Sequence, residues 1–217
     1  MSRLEKIRAD VPDLKAAVRH NYDAIAPRYD WVLGAPELLG LHWLRRALLR
    51  HAHGRVLEVA VGTGRNLQHY PPGCELTAID FSPAMLARAE RRARRIGRAV
   101  DFQLMDAEQL TFPPHRFDAV VCTLALCNFP HPLAALHEMM RVVRPEGRVL
   151  LLEHGYAEKT WLRRLQDLRA ERQFQWLGNR WDREPYRLAR EAGLQVLQHR
   201  SFLFGVLHWM VLTPGRS

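Results

Sequence analysis

The 217-residue chain lacks the residue patterns that hold metals or form disulfide scaffolds. It has three cysteines, Cys74, Cys122 and Cys127, with no C-x-x-C pair, and its eleven histidines show no H-x-x-x-H or H-E-x-x-H spacing. An odd number of scattered cysteines favours a reducing compartment over a disulfide framework. We therefore expect no metal site and no catalytic cysteine, and we place Cys122 in the core.

Long apolar runs are also missing. No apolar stretch follows Met1, and the longest run, Phe202 to Leu212, is interrupted by His208 and is too short to span a bilayer. The 47% of hydrophobic residues is still enough for one good core. We expect a cytoplasmic protein without a transmembrane segment, folded as a single domain over residues 1–217.

Lysine is scarce in a chain that is otherwise strongly basic. Only three of the 32 basic residues are lysines, and the formal net charge is +9. This bias is compatible with genome composition alone, but it also admits peripheral contact with an anionic membrane, ahead of nucleic acid. Six arginines fall between Arg88 and Arg98. Their spacing predicts a solvated helix face, with docking on phosphates as the alternative.

The most informative stretch covers residues 55–64. Its first half, residues 56–60, is short and apolar except for Glu58, which predicts a strand buried within a parallel sheet. Gly62 and Gly64 then predict a tight turn into a helix that begins directly after it. Backbone N–H groups at such a turn would face a ligand.

This turn has three interpretations. A dinucleotide-binding turn, G-x-G-x-x-G, would need a third glycine at Leu67, where a side chain hinders packing of helix on strand. An ordinary strand-to-helix loop is the second. Third, the pattern E-x-A-x-G-T-G from Glu58 to Gly64 resembles motif I of the class I S-adenosylmethionine-dependent methyltransferases, usually [DE]-x-G-x-G-x-G. It departs from that motif at Ala60, where we expect a negative φ or a slightly displaced backbone.

Two further segments resemble the same class. Residues 22–30 match Y-D-x-x-A-x-x-Y-D, which precedes the core in many methyltransferases of small molecules and lipids, including the ubiquinone/menaquinone C-methyltransferases. There the segment closes over the cofactor, so the resemblance implies this role for Tyr22 and Tyr29 and a helical lid over residues 1–35. Residues 105–110 resemble the D-A-E-x-L element of the class.

Acidic residues follow successive predicted strands. Asp80 ends the strand predicted over residues 75–80, where a sheet of this type places a carboxylate for both hydroxyls of a ribose. By resemblance, Asp106 accepts from the adenine amino group and the backbone at Ala107 reads a ring nitrogen. The full set that the resemblance assigns to S-adenosylmethionine is Tyr22, Tyr29, Glu58, Ala60, Gly62, Gly64, Asp80, Phe81, Met85, Asp106, Ala107, Thr123 and Leu124.

Strands and helices alternate along the chain, which predicts a doubly wound α/β sheet. The resemblance specifies a Rossmann-like methyltransferase fold with seven mostly parallel strands and an antiparallel last strand. It implies a cofactor-binding core over residues 50–155 and acceptor-side helices and closing strands over residues 156–217. The match is good over about residues 20–155 and loose beyond them.

The implied reaction is methyl transfer from a sulfonium to a small apolar or lipid-associated acceptor. His154, which ends the fifth predicted strand, is the candidate base, with a strand-end core histidine as the alternative. Glu153, Trp161, Trp176 and residues 178–180 resemble the thiol and phospholipid methyltransferases more than the quinone branch. A quinone-ring C-methyltransferase, an RNA methyltransferase and a non-catalytic cofactor-binding module remain open.

Overall fold

The computed structural model describes residues 14–32, 34, 37–177 and 183–215. The part of the predicted lid before residue 14 and the motif at residues 178–180 lie outside the described residues, as does the side chain of Trp176. The side chain of Trp161 is described and is 63% exposed.

The described elements follow the alternation that the sequence predicts. In chain order they are α1 (Leu14–Val32), a π-helical turn (Glu37–Leu41), α2 (His42–Leu49), β1 (Arg55–Val59), β2 (Glu75–Asp80), α3 (Pro83–Arg95), β3 (Val100–Leu104), β4 (Phe117–Thr123), α4 (Pro132–Val142), β5 (Val143–His154), α5 (Thr160–Leu177), α6 (Pro185–Glu191), β6 (Leu194–Phe202) and β7 (Leu207–Pro214).

The described strands form a seven-stranded sheet in the order β3-β2-β1-β4-β5-β7-β6. Strands β1 to β5 run parallel, whereas β7 is antiparallel to both β5 and β6. The predicted fold, mostly parallel with an antiparallel last strand, is confirmed. The strand order reverses at β1, which lies between β2 and β4. At such a switch point a crevice opens beyond the carboxyl ends of the strands.

Helices cover both faces of the sheet because its central strands are apolar on both sides. In β1, Val56 packs in one buried cluster with Leu48 of α2, and Leu57 packs in another with Leu136 of α4. All four side chains are fully buried. Successive residues of a strand point to opposite faces, so one short strand supplies both layers of the core.

The helix predicted directly after Gly64 is present, but it begins only at Leu67 and is a 3-10 helix instead of an α-helix. Residues 62–66 form turns, and only a single 3-10 turn, Leu67–His69, follows them. The prolines at positions 71 and 72 end it, because proline has no N–H to continue a helix.

Helix α1 is held by an apolar cluster that is separate from the two main layers. Val18, Tyr22 and Ala26 are buried against Met85 of α3. The N-terminal segment therefore packs on a helix instead of pairing with the sheet. Neither α1 nor any other helix in the described ranges combines the length and apolarity needed to cross a bilayer.

Candidate functional site

A cavity of about 910 Å³, including its open mouth, lies at the carboxyl ends of β1 to β4 and beneath α1. All predicted cofactor residues except Gly64 line it, namely Tyr22, Tyr29, Glu58, Ala60, Gly62, Asp80, Phe81, Met85, Asp106, Ala107, Thr123 and Leu124.

Gly62 keeps the wall of the cavity open. Its φ is +56°, which favours glycine, and a Cβ at this position would meet no atom within 4 Å. The turn is nevertheless not an anion cradle. The N–H of Gly62 donates to Asp80 Oδ2 at 2.8 Å, that of Val61 to the carbonyl of Ile79, and that of Gly64 to Val61. The expectation that these N–H groups face a ligand is therefore wrong for all three, because the protein itself uses them.

Gly64 acts in packing instead of lining the cavity. Its φ is +78°, and an added Cβ would lie 2.8 Å from Leu67 Cδ1 and 3.1 Å from the Cα of Ala89 in α3. A side chain at this position would push α3 away from the turn. Gly64 thus allows the close approach of helix and strand that a third glycine would provide in a dinucleotide-binding turn.

Ala60 adopts a left-handed backbone with φ 54°, so the expected negative φ is wrong. Leu124, which follows the adjacent strand β4, has φ 57°. Such conformations cost about 1–3 kcal/mol in residues other than glycine. Both residues line the cavity, and both turn the chain away from the end of a central strand. The strain is located where the two strands must diverge to leave the crevice open.

Asp80 lies at the end of β2 and is 5% exposed. Its Oδ2 accepts from the N–H of Gly62 and its Oδ1 accepts from the N–H of Ser82 at 2.9 Å. Burial raises the pKa of Asp80 to about 6, in spite of these hydrogen bonds. Each carboxylate oxygen has a second lone pair. Asp80 can therefore still accept hydrogen bonds from a diol in the cavity.

A largely buried inner network of five residues, Arg45, Glu58, Asn66, Tyr70 and Thr123, forms part of the cavity wall and extends behind it. Asn66 Nδ2 and the Tyr70 hydroxyl donate to the two oxygens of Glu58 at 2.8 and 3.0 Å. Arg45 Nη1 donates to Asn66 Oδ1 at 2.9 Å and to Thr123 Oγ1 at 2.7 Å. Burial raises the pKa of Glu58 to about 7, although both of its donors act in the opposite direction.

Arg45 is a cavity residue that the sequence analysis missed. It is 4% exposed, and its Nε donates to Glu37 Oε1 at 3.0 Å. The available signal was the combination of Glu37 and Arg45 in one amphipathic segment. The many other arginines of this chain concealed it. Arg45 gives the inner wall a buried positive charge, which suits a carboxylate.

Lys15 of α1 reaches across the cavity to the predicted adenine site. Its Nζ lies 2.6 Å from Asp106 Oδ2 and 2.6 Å from Glu108 Oε2. The other oxygen of Asp106 accepts from the N–H of Glu108 at 2.8 Å. Asp106 is thus present at the predicted position, but in this structure the lid helix contacts it.

Two aspartates hold the rest of α1 against neighbouring elements. Asp23 accepts from the Ser82 hydroxyl at the start of α3. Asp30 Oδ1 accepts from Thr63 Oγ1 at 2.6 Å and from Arg65 Nε at 3.0 Å. Burial opposes ionisation of Asp30, yet the Thr63 hydrogen bond and nearby arginines hold its pKa below the ordinary value. Lys15, Asp23 and Asp30 are called the lid contacts below.

His154 does not line the cavity, and the geometry does not support its predicted role as base. Burial lowers the pKa of His154 to about 4, with the charge of Arg45 acting in the same direction. Its neighbour Glu153, which is 1% exposed, accepts from the N–H groups of Ala125 and Leu126 at 3.0 and 3.2 Å. Glu153 thereby fixes the loop after β4, which forms part of the cavity wall.

The described residues contain no group of three or more histidine, cysteine or acidic side chains placed to hold a metal ion. Charged groups at the cavity are mainly ion-paired or hydrogen-bonded to one another. Lys15 faces two carboxylates, and Arg65 contacts Asp30. These charges position neighbouring elements around the cavity.

Fold and site together define a class of protein. A doubly wound sheet with a carboxylate at the end of β2 binds a ribose at this crevice. Three N–H groups of the glycine turn, those of Val61, Gly62 and Gly64, are already used, which does not suit a pyrophosphate. A nucleoside with an amino-acid tail fits better, because Asp80 offers acceptors, Met85 and Phe81 offer apolar surface, and Arg45 offers a buried cation. These are the features expected of a site for S-adenosylmethionine.

Comparisons with known proteins agree with that class. Residues 57–151 match the family described as Methyltransferase domain. The chain is 41% identical over 143 residues to a demethylmenaquinone methyltransferase of Thermus thermophilus, covering 61% of this chain and 63% of that protein. It is 39% identical over 120 residues to a phosphatidylethanolamine N-methyltransferase of Cereibacter sphaeroides, covering 53% and 59%. A candidate methyltransferase structure from Bacillus halodurans matches with a TM-score of 0.65 at 25% identity, covering 73% and 71%.

Residues 57–151 thus form a methyltransferase domain, and the fold and the relatives of the chain are those of the class I S-adenosylmethionine-dependent methyltransferases. The predicted resemblance is confirmed, and S-adenosylmethionine is the cofactor of this class. The chain spans less than two thirds of the length of the two curated relatives.

Proposed function

We propose that this protein transfers a methyl group from S-adenosylmethionine to a small apolar or lipid-associated acceptor. The observation that carries the proposal is the buried carboxylate of Asp80, which lies in the cavity beside a glycine turn that offers no phosphate cradle. A ribose without a pyrophosphate satisfies both features. The family match of residues 57–151 supports the same activity.

The nucleoside part of the cofactor would occupy the β2 and β3 side of the cavity. Asp80 would accept from the ribose hydroxyls, and Met85 and Phe81 would contact the adenine ring. Asp106 and the backbone at Ala107 would form hydrogen bonds with the edge of the adenine ring. Lys15 contacts Asp106 in this structure. The proposal therefore requires Asp106 to share its acceptors between Lys15 and adenine, or α1 to shift on binding.

The amino-acid part of the cofactor would occupy the β1 and β4 side. Arg45 offers N–H donors to a carboxylate, and Glu58 offers an acceptor to an ammonium group. Burial raises the pKa of Glu58 to about 7 and so disfavours its ionised form. A bound ammonium would favour its ionised form. Gly62 leaves space beside both groups.

S-adenosylmethionine, when bound, supplies an electrophilic methyl group on a sulfonium. The contribution of the chain is to position the reactants, which can supply about 7–11 kcal/mol in favourable cases, and to exclude water. Tyr22 and Tyr29 of α1 close the cavity from above. Burial raises the pKa of Tyr29 to about 12 and that of Tyr22 well above its ordinary value. Both phenols therefore stay neutral and act as covering groups instead of as bases.

The acceptor would enter beside the loop after β4, where Leu124, Phe129 and Pro130 give the cavity an apolar wall. The preferred acceptors are a thiol or an amino phospholipid, and the Cereibacter relative supports the latter. A quinone ring is the second candidate, supported by the Thermus relative. The two candidates differ in the atom that is methylated.

Calorimetric titration with S-adenosylhomocysteine tests the cofactor site. Wild type should bind, and Asp80→Asn should bind at least tenfold more weakly, because hydrogen bonds to charged groups contribute about 1.5–3 kcal/mol. The matched control is Asp101→Asn, an exposed aspartate on β3 that should leave binding unchanged. Thermal unfolding confirms that both variants are folded. Absence of heat with wild type, or equal binding by Asp80→Asn, would contradict the proposal.

Transfer of a labelled methyl group tests the acceptor. Wild type is incubated with labelled S-adenosylmethionine and, in separate reactions, a thiol, phosphatidylethanolamine vesicles or a demethylquinol. Label in the thiol or in phosphatidylethanolamine supports the preferred acceptors, and label in the quinol supports the second candidate. Binding of S-adenosylhomocysteine with no label in any product would indicate a non-catalytic cofactor-binding module.

A further inference from the structure

Helix α3 presents a face of four arginines that the methyltransferase site does not use. Arg88, Arg91, Arg92 and Arg95 follow the spacing i, i+3, i+4 and i+7, so they lie on one side of the helix. Together with Asp30 they line a surface cavity of about 480 Å³, including its open mouth. We call these four residues the arginine face. Like charges at this spacing repel one another, so the face is an unfavourable arrangement without an anion.

The carboxylates within the described ranges of the chain do not balance this face. Asp30 Oδ2 lies 2.5 Å from an Nη atom of Arg92 and 3.9 Å from one of Arg88. The other oxygen of Asp30 forms an ion pair with Arg65. Among the described residues, no carboxylate lies within 4 Å of Arg91 or Arg95. One aspartate is thus shared by several guanidinium groups.

Arg88 adds a second indication. Its Nε is buried and has no hydrogen-bond partner among the described atoms. A buried donor without an acceptor is unfavourable, and few such groups occur in native structures. The exposed guanidinium groups of Arg91 and Arg95 lie on the same helix face and are the N–H donors that an oxyanion in the surface cavity can reach. The arginine face therefore offers N–H donors arranged for an oxyanion.

The guanidinium groups of the arginine face favour a phosphate group as the ligand. Arginine binds phosphate through paired N–H donors, and several arginines can share the oxygens of one phosphate. The face extends over seven residue steps, or about 10 Å along the helix axis. This length accommodates one or two phosphates, whereas nucleic-acid binding follows a longer row of backbone phosphates.

A tryptophan beside the face favours a lipid as the source of that phosphate. Trp31 directly follows Asp30 in α1 and is 86% exposed. Exposed indoles are enriched where proteins meet the membrane interface, because they combine an apolar ring with a polar N–H group. The net charge of +9 also favours approach to an anionic surface.

We propose that the arginine face binds the phosphate of an anionic phospholipid and holds the protein at a membrane surface, with Trp31 in the interface. The site lies beside α1, which covers the cofactor cavity, so binding would bring the mouth of that cavity near lipid-borne acceptors. This proposal does not depend on methyl transfer, and its test needs neither cofactor nor acceptor.

Vesicle co-sedimentation tests the proposal. Wild type should bind phosphatidylcholine vesicles that contain phosphatidylglycerol and should not bind pure phosphatidylcholine vesicles. Replacing Arg91→Gln and Arg95→Gln together should weaken binding roughly tenfold or more. Both side chains are exposed and lack ion pairs among the described residues, so the fold should be retained. The matched control is Arg187→Gln with Arg190→Gln on α6, which removes the same charge at the opposite edge of the sheet.

Four outcomes would overturn the proposal. Equal loss in the control variant would indicate general charge attraction. Equal binding of the two vesicle types by wild type would show that binding does not depend on the charge of the headgroup. Calorimetric binding of inorganic phosphate at the arginine face without vesicle binding would identify free phosphate as the ligand. Tight RNA binding that weakens steeply with salt, without vesicle binding, would identify a nucleic-acid site. A greater loss in the arginine-face variant, with wild type preferring phosphatidylglycerol, would support the lipid site.

Discussion

Glu58 and Asp30 are both carboxylates beside the cofactor cavity, but their surroundings shift their pKa values in opposite directions. Glu58 belongs to the buried inner network, where loss of solvent raises its pKa to about 7. Asp30 belongs to the half-buried lid contacts, where the Thr63 hydroxyl and nearby arginines outweigh burial and lower its pKa. The inner network is thus a dry arrangement of shared hydrogen bonds, and the lid contacts are ion pairs and hydrogen bonds nearer to solvent.

The difference suggests a division of roles between the two regions. Removing one partner of a buried ion pair is strongly destabilising, which fits a network that fixes the cavity wall. Ion pairs near the surface contribute little, so they can break and re-form as α1 moves. We therefore expect changes in the inner network to affect global stability, and changes in the lid contacts to affect α1 alone.

The largest effect is expected from Arg45→Met, which leaves Glu37 buried without its partner. Loss of one member of a buried pair should reduce the free energy of unfolding by roughly 3–5 kcal/mol. Denaturant unfolding measures this value. The matched control is Arg94→Met, because Arg94 faces Glu90 at 3.7 Å in an exposed pair and should cost less than about 1 kcal/mol. Equal losses in both variants would remove the distinction between the two regions.

Glu58→Gln should change how stability depends on pH. The raised pKa means that the folded state holds the Glu58 proton more tightly than the unfolded state does. The contribution of Glu58 to the free energy of unfolding is therefore greatest below pH 4.5 and is lost as the pH rises to about 7. Relative to wild type, Glu58→Gln should become more stable over that window, by on the order of 1–3 kcal/mol. Unfolding free energies at pH 5 and pH 8 give the difference. A difference that does not vary with pH would show that Glu58 is ionised throughout.

Ala60→Gly should remove backbone strain at the end of β1. Glycine adopts φ 54° without steric cost, so we expect stabilisation of about 1 kcal/mol. Ala87→Gly, at an exposed position within α3, is the matched control and should destabilise by a similar amount. Thermal unfolding compares the two. Destabilisation by both substitutions would mean that Ala60 is not strained.

The smallest effect is expected from Lys15→Met in the lid contacts. Lys15 is 37% exposed, so its ion pairs with Asp106 and Glu108 should contribute less than about 1 kcal/mol to global stability. Hydrogen exchange should become faster in peptides from α1 and stay unchanged in β1 to β4. Faster exchange throughout the sheet would instead place Lys15 among the residues that support the core.

The sequence was sufficient for those features that depend on neighbouring residues. Three such features are local patterns, and the sequence placed each of them correctly. They are the apolar run of β1, the glycines after it and Asp80 at the end of β2. Gly64 is a partial exception. Its presence was read from the motif, but its contact with Ala89 of α3 depends on how a distant helix packs.

Features that depend on distant partners were not predictable in this way. Arg45 looks like any other arginine of a basic helix until Asn66 and Thr123 are placed beside it. Lys15 meets Asp106 across 91 positions of sequence. His154 is the opposite case. Its type and strand-end position suggested a base, whereas burial lowers its pKa and it does not line the cavity.

The sequence by itself determined that this chain forms a doubly wound sheet with a carboxylate and a glycine turn at one crevice, because strand periodicity and turn residues act over a few positions. The tertiary structure alone decided the electrostatics of that crevice. Burial and long-range partners set which N–H groups are already used, which carboxyls hold their protons and which arginines remain for a ligand. Those properties arise only when separate elements pack together and exclude water.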